Sequence, residues 1–172
     1  LWFACLDGED DLLPDLAIGR WPVETAAEAE GVVQKLIDYE AAPSAAWKKE
    51  FLFISGGFTI LDQTSFRGQS ATLQKEYVTP APVSGHGMQI HKTSLDFIEG
   101  ENRDAIMAAL NSGKVWTNFI GHAASRTWDL MFHNADIDLL ENAPRYPFIT
   151  SMTCHTGRFA QPDQVSFGEN FL

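Results

Sequence analysis

The chain has 172 residues, of which 45% are hydrophobic and 20% charged, a composition typical of one folded domain with a sizeable core. Its formal net charge of -11 disfavours binding to nucleic acids and to anionic membranes, because both carry negative phosphates. Two cysteines are too few for a disulfide framework, and no apolar run approaches the roughly 18 residues of a membrane span.

The chain starts abruptly at Leu1 and stops abruptly at Leu172. We therefore interpret residues 1–172 as one domain and as a fragment of a longer protein. The missing signal peptide carries little weight for the same reason.

Short apolar runs and helical patterns alternate along the chain. Thr25 and Glu28 form a capping-box pattern, in which each side chain caps the other's free backbone N–H and a helix begins. Apolar residues then recur on one face at helical spacing, at Ala29, Val32, Val33, Leu36 and Ile37. In chain order the predicted elements are a strand over 16–20, a helix over 25–40, a strand over 51–54, a helix over 65–78, a loop over 79–88, a strand over 88–92, a helix over 102–112, a strand over 115–120, a helix over 136–141, a strand over 148–153 and the start of a helix at 167.

The predicted strands are short and mostly apolar, and helical patterns separate most of them. Strands of this kind are buried on both faces, which is typical of a mostly parallel sheet covered by helices on each side. The sequence therefore predicts an α/β fold.

Two of these strands end in a reactive side chain. The strand over 115–120 leads into Gly121-His122, and the strand over 148–153 leads into Cys154. Sites in such sheets form beyond the carboxyl ends of the strands, and neighbouring strands lie about 4.8 Å apart. A thiol beside an imidazole is the minimum equipment for covalent acyl transfer, since the thiolate attacks and the imidazole carries the proton.

The backbone around these residues contributes to the predicted chemistry. The N–H groups of Ala123 and Cys154 are candidate oxyanion donors. A helix predicted after Cys154 is expected to lower the thiol pKa through its N-terminal dipole. Each side chain also has a plainer interpretation, because a free cysteine packs like a small hydrophobe and a histidine after glycine is often structural. Their coincidence at equivalent strand ends favours the catalytic interpretation.

Four segments follow one known pattern in the same order. They are Pro14-Asp-Leu-Ala-Ile-Gly-Arg20 with a helix ending in Tyr39-Glu40, Asn118-Phe-Ile-Gly-His122 with Trp128 six residues later, Leu139-Leu-Glu-Asn142 leading into Pro147-Phe-Ile149, and Cys154-His-Thr-Gly-Arg-Phe159 followed by Ser166-Phe-Gly-Glu169. In these segments the chain resembles the gingipain-type peptidases, the C25 family of cysteine peptidases.

The resemblance implies a caspase-like three-layer α/β/α sandwich with a mostly parallel sheet, which agrees with the fold predicted from the apolar pattern. It implies a cysteine endopeptidase with Cys154 as nucleophile and His122 as general base, acting on a protein or peptide substrate with no required cofactor. A structural calcium ion and a secreted or cell-surface location are implied in the same way. Sorting members of the family transfer the acyl group to another amine, so a transpeptidase remains an alternative.

The chain also departs from the family pattern. Ala123 replaces the glycine that usually follows the catalytic histidine, and alanine resists positive φ. Ser55 stands where arginine-specific members have the acid that orients the histidine. Ser65-Phe66 stands where they bind a basic side chain, so cleavage after arginine is not carried over. Asp62 is a candidate for either acidic role, and an inactive binding or structural domain is a further alternative.

Other polar residues have competing interpretations. Cys154, His155, His122 and His133 have spacings that match no standard zinc pattern, so zinc is the less favoured interpretation. An acidic run suits a solvated loop or a calcium site, because clustered carboxylates bind hard cations; its members are Asp7, Glu9, Asp10 and Asp11. His86 and His91 flank the loop that either lines a substrate groove or is purely structural. Trp128 either stacks near the site or packs beneath it.

Overall fold

The structure, a computed structural model, describes residues 4–8, 10–161 and 163–172. Its helices are α1 (Ala26–Ala41), α2 (Ile60–Leu73), α3 (Arg103–Asn111), α4 (Asn134–Ile137) and α5 (Phe167–Asn170). A 3-10 helix covers Ala46–Lys49, and a π-helical turn over Gln74–Val78 extends α2. Its strands are β1 (Glu50–Ser55), β2 (His86–His91), β3 (Trp116–Ile120), β4 (Ala123–Ala124), β5 (Thr127–Trp128), β6 (Phe132–His133) and β7 (Phe148–Met152).

Four strands form a parallel sheet in the order β2-β1-β3-β7, which confirms the predicted parallel α/β architecture. The three shortest strands form a separate antiparallel sheet in the order β4-β5-β6. This second sheet lies directly after His122 in the chain. Its strands have two residues each, which is too short for any periodic signal in the sequence.

The two faces of the parallel sheet have different partners. On one face, Leu52, Ile54 and Phe119 belong to a buried apolar cluster with Ile106 and Leu110 of α3. On the opposite face the π-helical turn packs so closely on β2 that a Cβ at Gly87 would overlap the Gln74 side chain. Since side chains alternate along a strand, Ile120 of β3 and Met152 of β7 point to this second face, where α2 lies.

The helix starts follow local hydrogen bonding. Thr25 and Glu28 form the predicted capping box at α1. Thr59 and Asp62 form a second capping box at α2, so this helix begins five residues before its predicted start. Both boxes satisfy backbone N–H groups that otherwise have no partner in the first turn.

Several local predictions are wrong. Residues 16–20 form no strand, because they lie exposed without a ladder partner in the described chain. The predicted apolar face of α1 is buried only at Val32, whereas Val33, Leu36 and Ile37 remain exposed. Strand β2 begins at His86, inside the predicted loop, because it pairs along the full length of β1. Helix α4 covers 134–137 rather than 136–141 and is capped by His133 and Asp136. Among the described helices, none has the length and apolar character needed to cross a membrane.

Candidate active site

The two reactive side chains follow neighbouring strands at the same end of the parallel sheet. In the register of β3 and β7, Ile120 lies opposite Met152. His122 and Cys154 each come two residues later, so both follow the same ladder position. The structure thus pairs the two strands that the sequence pattern singled out.

The backbone at His122 is fixed by a carboxylate that gives no signal in the sequence pattern. One oxygen of Asp129 accepts hydrogen bonds from the backbone N–H of Gly57, at 2.8 Å, and of His122, at 3.0 Å. The Asp129 N–H in turn donates to the His122 carbonyl oxygen at 3.0 Å. Asp129 therefore ties the end of β1 to the end of β3.

The Asp129 side chain is only 2% exposed, and its second oxygen has no hydrogen-bond partner among the described residues. Burial raises the pKa of Asp129, while the two backbone donors and the neighbouring His122 and Lys92 act in the opposite direction. The carboxylate has space only because Gly56 and Gly121 lack side chains, since a Cβ on either would overlap it. The close approach of one carboxylate therefore requires glycine at both strand ends.

The imidazole of His122 is half exposed and lies against α2. Its Nε2 lies 3.4 Å from Oδ2 of Asp62, in the first turn of that helix. Phe58 stacks nearly parallel to the imidazole with a centroid distance of 6.0 Å, and Phe66 meets it edge-on at 5.7 Å. These three neighbours fix the plane of the ring and leave Nδ1 as the nitrogen that does not face a carboxylate.

Asp62 has two roles at once. Its carboxylate accepts a hydrogen bond from the Thr59 N–H at 3.2 Å, as the capping box of α2 requires. The Thr59 side chain lowers the pKa of Asp62, burial opposes this effect, and the hydrogen bond and charge of His122 lower the pKa further. Asp62 is therefore an ionised neighbour of the imidazole at neutral pH.

Cys154 is exposed and forms no disulfide. A tight turn follows it, in which the Thr156 N–H donates to the Cys154 carbonyl oxygen at 2.8 Å and His155 has a φ of 61°. The buried Thr156 hydroxyl donates to Ser151 of β7 at 3.1 Å and anchors the turn to the strand. The helix predicted after Cys154 is α5, which begins at the predicted Phe167, but the left-handed backbone at His155 and the loop that follows separate its N-terminus from Cys154 along the chain.

A buried ion pair lies behind the aromatic neighbours of His122. Lys92 is completely buried, its Nζ lies 2.9 Å from Glu101, and the same ammonium is 5.3 Å from the centroid of the Phe58 ring. Burial raises the pKa of Glu101, but the backbone N–H groups of Thr93 and Ser94 and the side chains of Lys92 and Thr93 together lower it to about 2. Glu101 thus anchors the loop over 93–101 next to the imidazole.

The departures from the family pattern have local explanations. The Ser55 hydroxyl lies 2.6 Å from Nδ1 of His91, so Ser55 is engaged within the sheet. Ala123 lies in β4 and is not among the residues with positive φ, which fall at Asp129 and Leu130 in this segment. Alanine is therefore compatible with the backbone of this position.

Trp128 is a packing residue, and His86 and His133 each pair with a glutamate. Trp128 is completely buried, stacks on Phe119 at 4.8 Å and donates its indole N–H to Ser151 at 2.8 Å, so it packs beneath the site. His86 lies 3.0 Å from Glu50 at the start of β2. His133 pairs with Glu99 at 2.8 Å.

The described residues contain no zinc cluster, because their one group of three or more close ligand side chains is acidic. It joins Asp7, Asp11 and Asp15, with carboxylate oxygens within 4.8 Å of one another. Such oxygens suit calcium, and one oxygen of Asp11 has no hydrogen-bond partner in the described chain. Asp10 is outside this group and Glu9 lies outside the described residues, so calcium stays a prediction.

The fold and the paired strand ends together define a class of protein. Two solved structures share this fold with a TM-score of 0.70 each: the Arg-specific cysteine proteinase gingipain R (RGPB), at 18% identity, and the complex of Porphyromonas gingivalis RgpB pro- and mature domains, at 20% identity. The matches cover 95% and 94% of this chain. The molecule therefore has the caspase-like α/β/α fold of these gingipain structures.

The chain belongs to peptidase family C25, whose model matches residues 1–172. It spans only 37% and 38% of the length of the two gingipain chains. It has no match among curated proteins.

Proposed function

We propose that the chain carries the catalytic dyad of a cysteine endopeptidase, with Cys154 as nucleophile and His122 as general base. The observation that carries the proposal is the register of β3 and β7, because it gives both residues equivalent positions beyond adjacent strand ends. Membership of family C25 supports the same class of chemistry.

The orientation of the strands supports a shared cleft. Ile120 and Met152 point to the sheet face that holds α2, and His122 and Cys154 each follow two residues later. The contacts of His122 with Asp62 and Phe66 lie on that face. The proposed chemistry requires the Cys154 thiol to lie on this same side, within reach of the imidazole.

The reaction proceeds in two steps. His122 takes the thiol proton of Cys154, the sulfur bonds to the substrate carbonyl carbon, and the imidazolium gives its proton to the departing amine as the C–N bond breaks. Water, activated by the neutral imidazole, then attacks the thioester carbonyl and releases the acid and the free thiol. The backbone N–H groups of Ala123 and Cys154 are the proposed donors to the oxyanion of each tetrahedral intermediate.

Asp62 is the proposed third residue. Its ionised carboxylate lies 3.4 Å from Nε2 of His122, so it holds a proton on that nitrogen and leaves Nδ1 to serve the thiol. This role replaces that of an acid at Ser55, whose hydroxyl is engaged by His91.

The substrate of such an enzyme is a protein or peptide, and no cofactor takes part in the proposed steps. A secreted or cell-surface location is part of the proposal through the resemblance to the gingipain family. The calcium ion, if bound by the acidic group near the start of the chain, has a structural role in a loop remote from the dyad in sequence.

Labelling with a peptide acyloxymethyl ketone tests the proposal in the intact protein under reducing conditions with calcium present. We expect modification of Cys154, identified by peptide mass spectrometry, and its loss in His122→Ala. Cys5→Ser is the matched control, because Cys5 is a half-buried free thiol outside the site, and this variant should label normally.

Labelling, combined with an analysis of the reaction products, separates the alternatives. An intact, folded protein whose Cys154 resists labelling is an inactive binding or structural domain. A labelled enzyme that converts peptides into amine adducts when an amine is added, rather than into acids, is a transpeptidase.

A further inference from the structure

Two phenylalanines contact the imidazole of His122 and a third stacks on one of them, and together they form an aromatic cluster, defined as Phe58, Phe66 and Phe97. Phe58 stacks on Phe97 with a centroid distance of 4.5 Å, while its contact with His122 is also a stacked one. Phe66 meets the same imidazole edge-on. The rings therefore continue the surface of the general base away from the strand ends.

The outer part of the cluster is exposed despite being apolar, whereas Phe58 and Phe66 are half-buried. Phe97 is 75% exposed, and Ile60 and Leu61 at the start of α2 are also exposed. An exposed aromatic ring that continues a half-buried aromatic pair is a place where another apolar group can bind.

The segment that presents Phe97 is firmly anchored rather than a free loop. Glu101 forms an ion pair with the buried Lys92 and accepts hydrogen bonds from the backbone N–H groups of Thr93 and Ser94. The buried Gln63 side chain donates to the Ser94 carbonyl at 2.9 Å and to the Gly57 carbonyl at 3.1 Å. On the other side of Phe97, the Gly100 N–H donates to the Leu130 carbonyl at 2.7 Å. These polar contacts on both sides of Phe97 hold its exposed ring against Phe58, which in turn stacks on the imidazole.

We propose that the aromatic cluster is the specificity subsite of the enzyme and receives a large apolar or aromatic side chain of the peptide, on a residue directly flanking the scissile bond. This inference rests on the proposed cysteine peptidase function. It follows from position, because the imidazole must reach both the thiol and the departing amine, so the residues flanking the scissile bond pass over the rings that adjoin it.

A basic side chain is the main competitor for such a surface, since cations also bind to aromatic faces. Here the ammonium of Lys92 already lies 5.3 Å from the Phe58 centroid and occupies one cation position on that ring. The carboxylate nearest the imidazole, Asp62, is engaged with His122 and with the capping of α2. Charge and geometry therefore favour an apolar side chain.

The test measures kcat/KM of the intact protein on peptides that differ only at the two residues flanking the cut, with Phe, Leu, Ala, Arg or Asp at each. We expect Phe or Leu at one of these positions to exceed Ala and Arg by about tenfold or more, the scale on which an apolar pocket discriminates side chains. Phe97→Ala should lower kcat/KM by about three- to tenfold on the preferred peptide and leave the Ala peptide within about twofold. Phe97 is exposed, so this variant is expected to fold.

Tyr77→Ala is the matched control, because Tyr77 is an exposed aromatic residue on the π-helical turn, outside the cluster. It should leave both rates unchanged. A preference for Arg, or a Phe preference that survives in Phe97→Ala and Phe66→Ala, overturns the subsite while turnover through Cys154 leaves the proposed peptidase standing. Absence of both turnover and Cys154 labelling overturns both.

Discussion

His122 and Cys154 follow equivalent strand ends, but their surroundings differ. His122 has a backbone held by the buried Asp129, an imidazole beside Asp62, and two phenylalanine rings against it. Cys154 is exposed on a turn that is tied to β7 through Thr156, and in the described chain β7 pairs only with β3. The geometry of the proposed base is therefore built into this part of the fold, whereas the position of the proposed nucleophile depends on one short turn.

The largest expected effect comes from the nucleophile itself. Cys154→Ala should lower kcat/KM by about a thousandfold or more, because no other group supplies the sulfur that bonds to the substrate. Its free energy of unfolding should change by less than about 0.5 kcal/mol, since the side chain is exposed. Peptide turnover and urea unfolding measure the two effects, and turnover that persists refutes the nucleophile assignment.

Loss of the Asp129 carboxylate, which binds the backbone of His122, should affect both stability and activity. Asp129→Ala leaves the N–H groups of Gly57 and His122 without their acceptor and opens a cavity, so we expect a loss of about 2–4 kcal/mol in the free energy of unfolding and a fall in kcat.

Asp129→Asn is the matched variant, because it keeps an acceptor oxygen and removes a charge whose burial raises the pKa. Because the pKa of Asp129 is raised, the buried carboxylate lowers the stability of the wild type as the pH rises through that pKa. The Asn variant avoids this cost and keeps an acceptor, so it should be more stable than Asp129→Ala at neutral pH. Equal destabilisation by both changes, in urea unfolding at pH 7, would contradict this role.

Glu101 makes the anchored loop sensitive to acid. Its folded pKa of about 2 lies below the ordinary value of 4.5, so its stabilising contribution is complete above about pH 4.5 and is lost as the pH falls towards 2. The contribution is on the order of 2–3 kcal/mol at neutral pH.

We therefore expect Glu101→Gln to be clearly less stable than the wild type at pH 7 and to differ little from it near pH 2. Thermal unfolding across this range measures it. A difference between wild type and variant that does not shrink in acid would show that Glu101 acts through packing rather than charge.

Asp62 tests how much the orientation of the base matters. Asp62→Asn should lower kcat/KM by about tenfold, because the amide lacks the charge that holds the proton on Nε2 of His122. Asp62→Glu keeps the charge and the capping box of α2, so it should recover part of the activity. If Asn and Glu variants have equal kcat/KM, Asp62 serves only the helix.

The smallest effect is expected on the Cys154 side. Thr156→Val removes the hydroxyl that donates to Ser151 and should cost about 1 kcal/mol of stability. If the position of Cys154 depends on this turn, the rate of Cys154 labelling should fall even under conditions in which the variant remains fully folded. Thr153→Val, at the neighbouring half-buried position, serves as the control because its hydroxyl has no hydrogen-bond partner in the described chain.

Particular residues show how far the sequence predicts this molecule. The parallel strands were predictable because 51–54 is a continuous apolar run and 115–120 and 148–153 are rich in β-branched and aromatic residues. The start of α1 was predictable because Thr25 and Glu28 form a local hydrogen-bonded pair. The strand over 16–20 failed because an apolar run also needs a partner strand, which no local pattern reveals. The candidate Asp62 could have been strengthened by its spacing from Thr59, a capping-box signal that also gives the earlier start of α2.

Residues adjacent in the chain were enough to predict the class of the fold and the two candidate catalytic residues, since burial periodicity and strand-end positions are local properties. The surroundings of these residues depend on the tertiary structure. Asp129 beneath His122, the Lys92–Glu101 pair behind Phe58, and the turn after Cys154 all join segments that are distant in sequence or depend on a single backbone conformation. Contacts of that kind are selected by packing in three dimensions, and no residue spacing encodes them.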